Sequence, residues 1–126
     1  AYYCGRFYDD ESCLDDIAWR DGNSEDTTHP VGQKTPNAWG LSDMAGNVWE
    51  WVWGWYALYP SSFAAEDLLG DPQTDPDGPN SVARGVNRGG SWRSNAGNLR
   101  SAGRESGATG VRSNGITGLR LARTAP

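Results

Sequence analysis

The tryptophans at Trp49, Trp51, Trp53 and Trp55 constrain this chain more than any other feature. At two-residue spacing a strand places all four on one face, whereas a helix would turn them to opposite sides. The segment is therefore predicted to be a strand. Because each ring can bury roughly 150–250 Å², that face is expected to supply a large share of a small core. Just upstream, the run Gly40-Leu41-Ser42-Asp43-Met44-Ala45-Gly46-Asn47-Val48-Trp49-Glu50-Trp51 sets two carboxylates around a glycine turn. It reads as an ion-bound turn feeding a buried strand.

The 126 residues fit one domain spanning 1–126, large enough to enclose a core. Seventeen glycines and seven prolines argue for many turns and few long helices. No run approaches the ~18–20 apolar residues of a membrane span, and the N-terminus lacks the basic and apolar regions of a signal peptide. A soluble chain without a membrane partner is expected. Charge is uneven: residues 1–83 carry 3 basic and 15 acidic side chains, and residues 84–126 carry 8 basic and 1 acidic. The basic third is not a nucleic-acid surface on this reading, because its arginines are spread through strand candidates and an acidic half is present to neutralise them.

Cys4 and Cys13 are the only cysteines, and they bracket the acidic segment Gly5 to Ser12. A disulfide would staple an N-terminus poor in apolar residues and would imply an exported compartment. Two free thiols are the alternative, since spacing does not establish geometry. A zinc site is disfavoured because His29 is the only histidine.

Along the chain, residues 1–37 read as an irregular lead-in, with a turn at Asp21-Gly22-Asn23 and a short extended piece from Thr28 to Gly32. Ser61 to Leu69 is the one helix candidate, with Ser61 or Ser62 as N-cap and Gly70 beyond its end. The proline-rich run Asp71 to Pro79 is a surface loop. Strands are predicted within Val82–Trp92, over Leu99–Arg104 and over Leu119–Arg123, with a loop from Glu105 to Gly115. If Leu99–Arg104 is extended, Arg100, Ala102 and Arg104 share a face.

Asp43, Gly46, Val48 and Glu50 form the strongest metal-site candidate. Hard cations such as Ca²⁺ take six to eight oxygens from carboxylates and carbonyls. Carbonyls two residues apart on extended chain point the same way, so Gly46 and Val48 can each offer one between the carboxylates. The alternative use of the same residues is Asp43 capping a turn and Glu50 pairing with an arginine. His29, Ser91 and Ser94 lack an identifiable relay, so none is assigned a catalytic role.

Several motifs occur in a fixed order: Pro36 through Trp51, then Arg88-Gly89-Gly90-Ser91-Trp92, then Leu99-Arg100-Ser101-Ala102-Gly103-Arg104, then Gly118-Leu119-Arg120-Leu121-Ala122. As a set they closely resemble the formylglycine-generating enzyme, or sulfatase-modifying factor, family over roughly residues 16–123. The resemblance implies an α+β, C-type-lectin-like fold with small sheets and long irregular loops. Beside that family the chain reads as partial, truncated at its N-terminus: a minimal version, a fragment, or one piece of an assembly. Self-association or a complementary segment is then expected to cover what the missing half would bury.

The resemblance also implies calcium at Asp43, Gly46, Val48 and Glu50. A second ion position of some members falls near Asn23 and Glu25, where the match is poor and an ordinary polar turn is expected. The family's oxidase chemistry needs a cysteine pair after the Arg-Gly-Gly-Ser motif. Here Ser94 stands at the first of those positions and Ala96 to Leu99 cover the second without sulfur. Serine does not replace thiolate toward copper(I), so no copper and no oxidase activity are expected. The ligand surface implied by the family comprises Trp92, Arg93, Ser94, Asn95, Asn98, Arg104, Glu105 and Arg112, on loops 93–98 and 105–117. An aromatic platform with guanidinium and amide groups suits a peptide, protein or small polar ligand. Variable proteins made by diversity-generating retroelements resemble the same scaffold and bind without catalysis. The alternative is a fragment or subunit of a family enzyme, of formylglycine-generating or ergothioneine sulfoxide synthase type, completed by a missing N-terminal part.

Overall fold

The tryptophan alternation does build a strand, β1, from Trp49 to Trp55. The computed structural model describes residues 2–4, 11–56, 84–108 and 115–121. The helix expected at Ser61–Leu69 and the proline-rich loop at Asp71–Pro79 lie outside the described residues, as does Arg112. Three further strands pair with β1 directly or in series: β2 (Arg84–Arg88), β3 (Glu105–Ala108) and β4 (Thr117–Leu119). They form one mixed sheet in the order β3-β2-β1-β4, with β1 antiparallel to β2, β2 antiparallel to β3, and β1 parallel to β4. The register sets Glu50 opposite Arg88 and Trp51 opposite both Asn87 and Leu119. Among the described residues, this small sheet with one short α-helix and long connections is the α+β architecture expected.

The tryptophan face is buried less than its spacing suggests. Trp49 is 5% exposed, whereas Trp51 is 36% and Trp53 87% exposed. The register explains the gradient, because β4 flanks β1 only from Trp49 to Trp51. The Trp51 ring lies against Gly107 of β3, where a Cβ would collide with it. That contact accounts for a strand made of Glu105, Ser106, Gly107 and Ala108, where small residues give the ring room.

The principal apolar cluster lies instead among Tyr2, Leu14, Ile17, Ala18, Ala45, Ala96 and Leu99, with Tyr3 and Cys4 packed against it. Leu14 and Ile17 belong to a four-residue helix, α1 (Leu14–Ile17), inside the segment read as irregular. Their spacing of three puts both on its inner face. Cys4 and Cys13 are joined by a disulfide, which ties the cluster's N-terminal residues to the start of α1.

Other boundaries differ too. Leu99–Arg104 is not a strand: a 3₁₀ turn covers Ala96–Leu99, and the next residues turn back. Gly103 N–H donates to the Arg100 carbonyl at 2.7 Å, and Arg100 Nε to the Gly97 carbonyl at 2.8 Å. Arg88 Nη1 adds a bond to the Ser101 carbonyl at 3.1 Å. Local turn bonds therefore overrule the alternation of Arg100, Ala102 and Arg104, and the ladder resumes at β3, inside the stretch expected to be loop. Thr28–Gly32 forms no strand, and β4 begins two residues earlier than expected and ends at Leu119.

Candidate functional site

Asn47, in the glycine turn before β1, holds three distant segments together. It is 7% exposed and sits in the left-handed region, at φ 64°. Its side chain makes a reciprocal pair with the backbone of His29, Oδ1 accepting from the N–H and Nδ2 donating to the carbonyl, each at 2.9 Å. Its own N–H donates to the Trp19 carbonyl at 2.8 Å, and its carbonyl accepts from Trp92 N–H at 2.8 Å. Gly46, at φ 76°, leaves no room for a Cβ against the Trp19 backbone, which fixes the need for glycine there.

The same frame absorbs His29 and Ser24. The His29 ring stacks on Trp19 with centroids 3.7 Å apart, and its Nε2 lies 2.8 Å from the Ser24 carbonyl. Ser24, fully buried, donates from Oγ to the Trp92 carbonyl at 2.8 Å. His29 is thus part of the scaffold. Asn23 bonds to Asp15 and the Ala18 carbonyl, an ordinary polar turn as expected at that position.

Asp43, Gly46, Val48 and Glu50 line one cleft of about 450 Å³, together with Val31, Leu41, Leu119 and Arg120. The structure brings all four predicted residues together. Their carboxylates, however, have protein partners. Asp43 Oδ2 accepts Gly32 N–H at 2.7 Å, and both Glu50 oxygens accept from Arg120 Nε, at 3.1 and 2.9 Å. Arg120 Nη2 bridges Glu50 Oε1 at 2.9 Å and the Asp43 carbonyl at 2.8 Å. The Glu50 hydrogen bond holds the Arg120 guanidinium above its ordinary pKa against the opposing effect of burial, with the Glu50 and Asp43 charges adding to the rise. This is the turn-capping and arginine-pairing alternative. The donor chemistry still suits a hard cation, since carboxylate and carbonyl oxygen are what calcium takes. Among the described residues no three or more His, Cys, Asp or Glu side chains cluster as metal ligands.

The connection from β2 to β3 carries most of the predicted ligand surface. Arg93, Asn95 and Asn98 are exposed, and Trp92 is half-buried with its Nε1 donating to the Gly115 carbonyl at 3.3 Å. Arg93 lies over the Trp92 ring at 5.2 Å. Ser94 faces the other way: it is 6% exposed, its Oγ accepts Ser91 N–H at 3.0 Å, and the two hydroxyls are 3.2 Å apart. Arg104 ends that connection, over the Tyr56 ring at 5.2 Å, and Glu105 opens β3. Two residues that sequence reasoning did not assign, Asn47 and Arg120, organise the frame and the cleft. Both lie inside quoted motifs; their partners lie 18 and 70 residues away.

The sequence pattern of the sulfatase-modifying factor enzyme 1-like domain matches residues 4–125. The chain belongs to this family. The sulfatase-modifying-factor chain described here is 42% identical over 66 residues to the formylglycine-generating enzyme of Streptomyces coelicolor, a match covering 52% of this chain and 19% of that enzyme. It is 38% identical over 100 residues to the serine/threonine-protein kinase pkn1 of Chlamydia caviae, covering 79% of this chain and 15% of that protein. It thus spans under a fifth of either relative's length. Among solved structures, Treponema denticola variable protein 1 superposes with a TM-score of 0.73 at 39% identity, over 87% of this chain and 37% of that one. PvdO from Pseudomonas aeruginosa gives 0.65 at 26% identity, over 94% and 42%.

As a family member this chain lacks the thiols of the oxidase. Its two cysteines are tied to one another in a disulfide, and the Ser-Trp-Arg-Ser segment carries two hydroxyls and no thiol. No helix among the described residues is long and apolar enough to cross a membrane.

Proposed function

We propose that this chain is a non-oxidase binding module, a lectin-like scaffold presenting Trp92, Arg93, Asn95 and Asn98, with Arg104 and Glu105, to a peptide, protein or small polar ligand. The observation that carries the proposal is the direction of Ser94. Where the resemblance implies a thiolate, its hydroxyl turns inward and bonds to Ser91, while the residues on either side of it stay open. The Ser91–Ser94 bonds support a reading in which this loop is held in place for display. An aromatic ring with a guanidinium above it offers stacking and charged hydrogen bonds in one place. The likeness to a Treponema denticola variable protein supports the same reading.

Calcium enters the proposal as a structural ion, held by the Asp43 and Glu50 carboxylates and the Gly46 and Val48 carbonyls, where it would supply divalent charge between the turn and β1. The Cys4–Cys13 disulfide favours an exported setting, since such bonds persist in oxidising compartments. The short coverage of the relatives favours one competing reading, a segment of a longer family enzyme. A reading frame with an adjoining histidine-rich or family-type segment would decide for it.

The direct assay is mass spectrometry of a cysteine-containing peptide after incubation with the protein, copper and oxygen. The expected result is an intact thiol, because the chain has no thiolate pair to hold copper(I). Aldehyde formation dependent on the protein would overturn the non-oxidase reading.

A further inference from the structure

Arg120 follows directly on β4, and its guanidinium fills the space between Glu50 and the Asp43 carbonyl. We infer that Arg120 is a built-in cation of this cleft, and that a divalent cation binds there only in exchange for the guanidinium. The inference rests on the calcium assignment proposed above and adds a competitor to it.

Three observations carry it. The guanidinium takes one of the groups an ion would need: both oxygens of Glu50 are already accepting from it. Half of the charge in the cleft is answered already, since Asp43 and Glu50 contribute two negative charges and Arg120 one positive. A divalent ion beside a retained arginine would meet like charge at short range, where the interaction is least screened. Finally, release is local. The Arg120 side chain is 37% exposed, and the β1–β4 pairing runs from Thr117 to Leu119, ending before Arg120. The side chain can therefore swing into solvent with the ladder intact. Arginine's rigid fork matches a carboxylate with two parallel bonds, which makes it an effective competitor.

The test is calorimetric titration of calcium into chelator-treated wild type, Arg120→Gln, Arg120→Lys and the control Glu50→Gln, with circular dichroism to establish that each is folded. Exchange predicts weak binding to wild type, at least tenfold tighter binding to Arg120→Gln, and an intermediate value for Arg120→Lys, which keeps the charge but loses the fork. A folded Arg120→Gln that binds calcium no more tightly than wild type overturns the inference while leaving the calcium assignment standing. Silence in wild type and both Arg120 variants overturns both. Should Arg120→Gln fail to fold, Arg120→Lys carries the decision, and equality with wild type counts against exchange.

Discussion

Two polar regions lie within four residues of each other on the same turn, and they are built on opposite terms. Around Asn47, every bond described runs inward: His29, Trp19 and Trp92 backbone groups are answered by one buried amide and its own peptide groups. Around Asp43, a backbone N–H caps the carboxylate and Arg120 pairs with neighbouring Glu50, in a cleft with the Arg120 side chain more than one-third exposed. A buried, fully paired polar network fixes geometry, because any lost partner leaves a desolvated group behind. An exposed ion pair is worth little to stability and can be exchanged. The first region is frame, and the second is the cleft proposed above to bind an ion. β1 repeats the contrast in apolar form, with Trp49 buried at one end and Trp53 open beyond it.

The sharpest way to break this comparison is along β1. Trp49→Ala should cost about 3–5 kcal/mol, the range for truncating a large buried aromatic, while Trp53→Ala should stay within about 0.5 kcal/mol. Chemical denaturation of both variants measures the difference, and equal losses would mean that the exposure gradient misrepresents the packing. Asn47→Ala should follow, at about 3 kcal/mol, because it leaves the His29 N–H and carbonyl unanswered at a positive φ. Asn47→Gly removes the strain but not the lost bonds, so a smaller but clear loss is expected. A neutral Asn47→Gly would reduce Asn47 to a conformational role.

The smallest effect concerns Tyr3, whose hydroxyl donates to the Ile17 carbonyl at 3.0 Å. Burial, with a smaller push from the Asp43 charge, raises its phenol from 10.0 to about 12. The neutral form is therefore favoured by folding, and that contribution is complete below pH ~10 and lost as pH climbs through the folded value. Melting temperature should fall between these limits, and Tyr3→Phe should lose that part of the slope. An unchanged slope in the variant would assign the loss to other groups.

Short-range signals made much of this legible. The alternation from Trp49 to Trp55 gave β1, and the spacing of Asp43, Gly46, Val48 and Glu50 gathered four residues that do line one cleft. Burial was less legible, because exposure of Trp51 and Trp53 depends on how far β4 runs alongside, which no local pattern encodes. β3 was missed for a related reason: Glu105 to Ala108 has no strand-like composition, and its small residues make sense only once the Trp51 ring is seen against Gly107. The arginine pairing of Glu50 was among the readings, but its partner lies 70 residues away in sequence. Ser94 shows the limit most plainly. Its position in the motif was readable, whereas its inward turn toward Ser91 was not.

The central claim is that a rigid inner frame displays Trp92 and Arg93 for binding. Selecting from a displayed random-peptide library against the purified chain, then measuring binding isotherms and melting curves of wild type and Arg93→Ala with the selected peptide, tests it most directly. The account predicts saturable binding that Arg93→Ala weakens by about tenfold, or about 1.4 kcal/mol, with an unchanged melting temperature. Binding untouched by Arg93→Ala, or a chain that selects no peptide yet converts a cysteine peptide to the aldehyde, would contradict it.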